Sequence, residues 1–354
     1  MRSFVPIAAP VDPVVALTRI AWLLERRRES TYRVEAFRKA ARAAERVGVE
    51  ELTDRATAGT LTSIVGIGKT TASVIAESVA GELPGYLADV QETSPESLAS
   101  GGGDLYLAIR GDLHAHTDWS DGGAPLDEMA RAATALGHEW LTITDHSPRL
   151  TVANGLSPER LRRQIDDIAD LNRSSDGTCH ILTGIEVDIL DDGSLDQTDE
   201  LLDDLDVVTA SVHSKLRMDA APMTRRMVAA ASDSRVDVLG HCTGRRVAGG
   251  RGARPQSAFD AAEVFAACAD HDTAVEINSR PERVDPPDDL IEVAYDLGCL
   301  FAIDSDAHAP GQLDFKALGA QRAERLGIEP DRIVTTWPVD RLLAWTAGGT
   351  RSSR

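Results

Sequence analysis

From Asp104 onward, seven short apolar runs alternate with helical segments. The runs are Leu105–Ile109, Trp140–Thr144, Ile181–Val187, Val207–Val212, Val236–Leu239, Ala274–Ile277 and Cys299–Ile303. Helical patterns such as Leu126–Leu136, Pro158–Leu171, Met223–Ala231, Ala258–Ala269 and Asp288–Leu297 lie between them. Strands that alternate with helices imply a parallel sheet. Seven such units predict a distorted seven-stranded (βα)7 TIM-like barrel of the α/β class. In such barrels functional groups collect at the C-terminal ends of the strands.

The nine histidines sort themselves on that frame. His114, His116, His146, His213, His241 and His308 fall at or just after strand ends, whereas His138, His180 and His271 fall at or before strand starts. The first set reads as functional and the second as structural or solvent-facing. In His114-Ala-His116 the two imidazoles point the same way off an extended backbone, a geometry that suits one divalent ion. Carboxylates join them at Glu186, at Asp121 in the first loop, and at Asp306 two residues before His308. Six imidazoles and three carboxylates exceed the ligand shell of a single ion, so two or three divalent metals are expected. Nitrogen and oxygen ligands without thiolate fit zinc or manganese, with iron(II) as a third option.

The chain's net charge of -20 is unevenly spread. Residues 1–100 hold 12 Lys+Arg and 13 Asp+Glu, leaving 25 and 44 for residues 101–354. That acidity opposes non-specific nucleic-acid binding by the second part, unless bound cations and local arginines invert the field at the site. The four cysteines show no CxxC spacing, so reduced core thiols are expected. Asp12 and two prolines interrupt the apolar N-terminal run, which excludes a signal peptide, and no stretch approaches the roughly 20 apolar residues of a membrane helix. A cytoplasmic protein with no membrane partner is expected. The oligomeric state is not readable.

The first ninety residues read as a small all-α domain. Asp12-Pro13 starts a helix running from Val15 to Arg27, a second fits Tyr32–Val47, and a third lies around Glu50–Ala58. Gly66-Ile-Gly68-Lys69 then forms a hairpin ahead of another helix. Its free N–H groups and Lys69 could hold a phosphate. Gly81 to about Gly103 reads as a linker, so the expected domains are residues 1–90, a linker over 91–103, and residues 104–354.

Tyr32-Arg-Val-Glu-Ala-Phe-Arg-Lys-Ala-Ala41, followed by the Gly66–Gly68 hairpin, resembles the N-terminal helix-hairpin-helix domain of family X DNA polymerases. The resemblance implies binding of the DNA backbone at gaps through Gly66, Gly68 and Lys69. Val74 stands where that family's lyase lysine would be, which argues against lyase chemistry. Only about 20 residues separate residue 90 from the histidine stretch, so there is no room for a polymerase palm and DNA synthesis is excluded.

The second part resembles the PHP (polymerase and histidinol phosphatase) family of metal-dependent phosphoesterases, most closely the PHP domain at the C-terminus of bacterial family X polymerases. Beyond the ligands the resemblance is carried by Thr144-Asp-His-Ser147, Gly184-Ile-Glu-Val-Asp-Ile-Leu190, Ser211-Val-His-Ser214, Gly240-His-Cys-Thr-Gly-Arg245 and Glu276-Ile-Asn-Ser-Arg280. It implies a trinuclear centre. One ion would take His114, His116, Glu186 and Asp306. A second would share Glu186 and take His213 and His241, and a third would take Asp121, His146 and His308. Lys215, Arg245 and Arg280 are candidates for stabilising phosphoryl charge. Asp112 and Asp145, each preceding a ligand histidine, are expected to orient imidazoles.

Joined to a DNA-backbone module, such a centre predicts hydrolysis of phosphate esters at DNA 3′ ends, gaps or abasic sites in repair, as exonuclease, 3′-phosphatase or phosphodiesterase. The alternatives are a small-molecule phosphatase, on histidinol phosphate or nucleotides, and a non-catalytic DNA-end-binding accessory protein. An amidohydrolase also begins with HxH, but it needs a bridging lysine on strand four, where this chain has His213.

Overall fold

Asp12 accepts the Val14 N–H at 2.8 Å and Pro13 needs no N–H partner, so helix α1 (Pro13–Arg26) begins where local chemistry places it. The computed structural model describes residues 5–174, 179–249 and 252–348, which fall into two units that part between Ser97 and Leu98. The first unit continues with α2 (Thr31–Val47), α3 (Val49–Thr57), α4 (Lys69–Val79) and α5 (Gly85–Glu92). Leu17, Ile20 and Leu24 of α1 pack on Phe37, Ala40 and Ala44 of α2 and on Val74 and Ile75 of α4. Inside this core Glu25 receives two bonds from Arg38, one of 2.7 Å. Gly66 has φ +96, and a Cβ there would stand 3.3 Å from the Lys39 carbonyl oxygen. Helix α5 lies inside the stretch expected to be a linker. Leu87 and Val90 explain it, because burying both gives this short segment a reason to coil.

The second unit holds six parallel strands in the order β1 (Trp140–Ile143), β2 (His180–Asp188), β3 (Val207–Ser211), β4 (Val238–Leu239), β5 (Ala274–Asn278) and β6 (Phe301–Asp304). The helices of this unit are α6 (Gly103–Ala108), α7 (Leu126–Ala135), α8 (Pro158–Ser174), α9 (Asp199–Asp203), α10 (Ala220–Ala231), α11 (Ala261–Asp270), α12 (Asp288–Asp296), α13 (Lys316–Arg325) and α14 (Val339–Thr346). The first of the seven expected strands is not one: Leu105–Ile109 belongs to α6 and the residue that caps it. Leu105, Tyr106 and Ile109 are buried at a spacing that one helical face satisfies. Its place beside β1 is taken by the extended segment Asp112–His116. Thr142 and Thr144 donate to the carbonyls of Asp112 and Ala115 at 2.9 and 2.8 Å. On the other side His116 donates to the Ala307 carbonyl at 2.8 Å, so the segment stands between β1 and the chain just past β6.

The strands are buried on both faces. Val208, Ala210, Val275 and Ile303 join one core with Met223, Met227, Phe265 and Ile291 of the surrounding helices. Val207, Val238, Ala274 and Ala302 join another with Trp140, Trp337 and Trp345. Neighbours such as Val207 and Val208 go to different cores, as the period of two requires. All four cysteines are buried and free, and burial pushes the Cys179 and Cys299 thiols up to about 12. Among the described residues no helix is long and apolar enough to cross a membrane.

Candidate metal centre

All nine expected ligands meet at the C-terminal ends of the strands. His114 and His116 come from the extended segment, Asp121 from the loop after it, and His146 from just beyond β1. Glu186 lies in β2, His213 and His241 just beyond β3 and β4, and Asp306 and His308 just beyond β6. Asp306 has φ +50, a conformation rare for a residue other than glycine, and the bend turns the chain sharply at the end of β6.

Glu186 is the hub. Its Oε2 lies 2.8 Å from His146 Nδ1, 3.4 Å from His114 Nε2 and 3.6 Å from His116 Nε2. Its Oε1 lies 2.8 Å from His241 Nε2 and 3.2 Å from His213 Nε2. Asp121 Oδ1 stands 3.3 Å from His146 Nε2 and 3.4 Å from His308 Nε2. Four overlapping sets keep their ligand atoms within 4.8 Å of one another. They are His116, Asp121, His146 and His308; His114, His241 and Asp306; His114, His116 and Glu186; and His146, Glu186 and His213. Asp121, His146 and His308 thus stand together as expected, with His116 added. His241 sits against His114 and Asp306 as well as against Glu186.

Whether these residues suit cations is tested by their lone pairs. His114 Nε2, both Glu186 oxygens, His213 Nε2 and both His241 nitrogens are buried without a hydrogen-bond partner. Orphaned polar atoms cost free energy in a dry interior unless something binds them, and a cluster facing inward at this spacing fits divalent ions. Burial opposes charge on Glu186, but His213, His114 and His146 outweigh it and hold its carboxyl well below the usual range. Burial likewise opposes charge on Asp306, where Arg283 and Arg280 prevail.

The groups behind the imidazoles differ from the expected ones. Glu276 Oε1 is 2.6 Å from His114 Nδ1, and its other oxygen accepts the His241 backbone N–H. Asp188 Oδ1 lies 3.3 Å from His213 Nδ1 and accepts that residue's N–H at 3.1 Å. Asp145, by contrast, accepts from Thr117 N at 2.8 Å, Thr117 Oγ1 at 2.5 Å, Gln164 Nε2 at 2.6 Å and Ser120. It ties down the loop that carries Asp121. Asp112 accepts the His114 and Ser305 N–H groups, each at 3.2 Å, and faces Lys316 at 3.3 Å. Both aspartates act on backbone and loop rather than on rings.

Of the expected cations, Arg280 is at the centre: its Nη1 is 2.8 Å from His308 Nδ1 and donates to the Asp306 carbonyl at 2.9 Å. Lys215 is exposed and paired with Asp191, and Arg245 is half-buried in the loop after His241. Arg283 escaped the sequence reading, yet its Nε is 3.0 Å from Asp306 Oδ2. The available signal for Glu276 was an acidic residue in the middle of an apolar strand, a position that burial tolerates only with a partner. His138 is buried against Lys316 at 2.9 Å, while His180 and His271 are exposed, so none of these three joins the centre.

In the helical unit Lys69 is exposed at the first position of α4. The Gly68 N–H donates to Thr71 Oγ1 at 2.9 Å, so it is not one of the free donors expected there. Val74 is fully buried.

Residues 112–280 match the PHP domain family, and residues 12–82 match a helix-hairpin-helix domain family. The chain is 37% identical over 217 residues to the DNA polymerase/3′-5′ exonuclease PolX of Bacillus subtilis, a match covering 61% of this chain and 37% of that protein. The chain thus spans little more than a third of that relative's length. A probable phosphatase of Vibrio cholerae is 29% identical over 246 residues, covering 65% of this chain and 90% of the phosphatase. Among solved structures, a histidinol phosphate phosphatase of Lactococcus lactis in complex with zinc, L-histidinol and phosphate aligns at 19% identity and a TM-score of 0.42, over 62% of this chain and 92% of that one.

Proposed function

Since this chain carries a PHP domain behind a helix-hairpin-helix domain and is a phosphoester hydrolase, we propose that it cleaves phosphate esters at DNA 3′ ends or abasic sites in repair. Exonuclease, 3′-phosphatase and phosphodiesterase activity all fall within that reading. The observation that carries the chemistry is Glu186, a buried carboxylate among four imidazoles whose lone pairs lack partners. His114, His116, Asp121, His146, Glu186, His213, His241, Asp306 and His308 would hold two or three divalent ions, zinc or manganese. Such ions, when bound, polarise the phosphoryl oxygens and lower the pKa of a water for attack.

The chain's own residues do the rest. Glu276 and Asp188 fix the rings of His114 and His213, so each presents its Nε2 inward. Arg283 offsets the Asp306 charge, and Arg280 presents a guanidinium beside His308 where a phosphate oxygen would arrive. The exposed Lys69 at the start of α4 offers a contact to a DNA backbone phosphate.

A small-molecule phosphatase is the second reading, favoured by the coverage of nearly the whole length of the Vibrio phosphatase and by the acidity of residues 101–354. The two are separated by turnover with Mn²⁺ or Zn²⁺ on a gapped duplex ending in 3′-phosphate, with histidinol phosphate in parallel and His213→Ala as control. Phosphate release from the duplex, lost in the variant, supports repair chemistry. Release from the small monoester alone refutes it.

A further inference from the structure

Of the six described strands, β5 alone sends no ligand to the centre. Its residues alternate in the usual way. Val275 and Ile277 enter the core shared with Phe265 and Ile291, while Glu276 and Asn278 are buried on the opposite face. A carboxylate and an amide are costly to bury unless they are bonded, so their partners show what they are for.

Asn278 Nδ2 donates to Asp306 Oδ2 at 3.0 Å and to Glu276 Oε2 at 3.3 Å, and its Oδ1 accepts the Arg280 N–H at 3.1 Å. Carboxylates accept and a backbone N–H donates, so these neighbours fix which way the amide points. Its NH2 group has two protons, one for each carboxylate. Both carboxylates lead directly to the centre. Glu276 stands 2.6 Å from His114 Nδ1 and accepts the His241 N–H. Asp306 is itself a candidate ligand. His114, His241 and Asp306 form one of the sets whose ligand atoms lie within 4.8 Å of one another. One amide is therefore bonded to the group that supports two members of the set, and to the third member itself.

The same amide divides the work of the two Asp306 oxygens. Oδ2 is held by Asn278 and by Arg283 Nε at 3.0 Å. Oδ1 faces His116 Nε2 and the Arg280 guanidinium, each at 3.6 Å. The carboxylate is gripped by one oxygen and offers the other.

We propose that Asn278 is a positioning residue of the hydrolytic centre: it ties Glu276 to Asp306 and holds Asp306 by Oδ2, so that Oδ1 is the oxygen presented on the side of His116. This rests on the reading that the centre holds divalent ions.

The test uses the full chain, stripped of ions with a chelator and titrated with Co²⁺, whose visible absorption reports the number and kind of its ligands. In both Asn278→Ala and Asn278→Val the affinity for at least one ion per chain should fall by about 10–100-fold. The spectrum at saturation should also depart from that of the wild type. Valine fills the space that alanine leaves, but neither side chain donates a hydrogen bond, so the two variants should fail alike. A valine variant that binds like the wild type would make Asn278 a space-filler. Weaker binding with an unchanged spectrum at saturation, or loss of the wild-type circular dichroism in both variants, would make it a plain structural residue. Each of these results overturns the proposal. If the wild type takes up neither Co²⁺ nor Zn²⁺, the metal-centre reading fails and the proposal falls with it, whereas uptake that the variants match removes the role of Asn278 alone.

Discussion

Glu276→Gln isolates what one buried charge contributes to the centre. Glu276 is fully buried, with one oxygen 2.6 Å from His114 Nδ1 and the other accepting the His241 N–H. Glutamine has nearly the same shape and can still accept from His114 through its carbonyl oxygen, so the substitution removes the charge and turns an NH2 group toward the His241 N–H. A carboxylate behind a ligating imidazole raises its basicity and aims its free nitrogen. Losing such a group typically costs ~10–100-fold in metal affinity, about 1.4–2.7 kcal/mol. Because glutamine keeps the hydrogen bond, the lower half of that range is expected, and Glu276→Ala should reach the upper half. In the metal-free protein the balance is different. Burial, Asp112 and Glu276 together push the Asp304 carboxyl well up, and removing Glu276 relieves that crowding. His114 still faces Glu186 at 3.4 Å, so the substitution does not leave it without a counter-charge. The variant should therefore lose stability chiefly in the loaded state. Calorimetric titration with Zn²⁺ or Mn²⁺ measures the affinity. Urea unfolding at a fixed excess of free ion, and again with chelator, should show the metal-dependent stability falling by the same increment. Unchanged affinity, or an equal loss with and without metal, would refute the reasoning and make Glu276 an ordinary buried polar residue.

Gly155→Ala would put a Cβ 1.9 Å from the Ser147 carbonyl oxygen, with no flexible side chain to yield; a loss of about 1–3 kcal/mol or more is expected, read as a lower urea midpoint. Glu25→Gln removes the charge from the buried Glu25–Arg38 pair and should cost about 3–5 kcal/mol, seen as lost amide protection in α1 and α2 by hydrogen exchange. Asp285 gives a pH signature: burial outweighs the opposing influence of His241, Thr243 and Arg283 and raises its carboxyl above the ordinary value. A raised folded-state pKa means the folded chain binds the proton more tightly, so the contribution is present below the unfolded aspartate value of about 3.9 and is lost as pH rises through the folded one. Asp285→Asn should flatten that decline in a metal-free urea series from acid to neutral pH. An unchanged slope would show that Asp285 ionises alike in both states.

Six of the nine candidate ligands (His146, Glu186, His213, His241, Asp306 and His308) were readable because each lies within a few residues of a strand's end, and a parallel sheet sends all those ends to one rim. What sequence could not supply was the identity of apolar stretches whose period is ambiguous. Leu105-Tyr-Leu-Ala-Ile109 satisfies a buried strand or one turn-and-a-half of helix equally well. Gly102, at φ +74, closely abuts Gln321 of α13 and is followed by a helix that packs there. Likewise α5 lies in a stretch that prolines and glycines mark as linker, and only the burial of Leu87 and Val90 reveals it. The partners of the imidazoles were misassigned for a related reason. Asp112 and Asp145 are close in sequence to the histidines, but their carboxylates are taken by backbone N–H and loop hydroxyl groups instead. The true partners, Glu276 and Asp188, come from other strands, and strand-to-strand register is not written locally.

The extended segment Asp112–His116 is wedged between β1 and the chain beyond β6, and the Leu113 N–H donates to Asp304 across 191 residues of sequence. During synthesis at about 5–20 residues per second, His114 therefore emerges some 10–40 s before the last ligands exist. His114, His116 and Glu186 are by then available as a partial chelate, while Asp306 and His308 arrive only near the end. Completion of the centre is thus a late event: a product cut short before residue 306 keeps most of the histidines yet lacks the two groups that close the cluster.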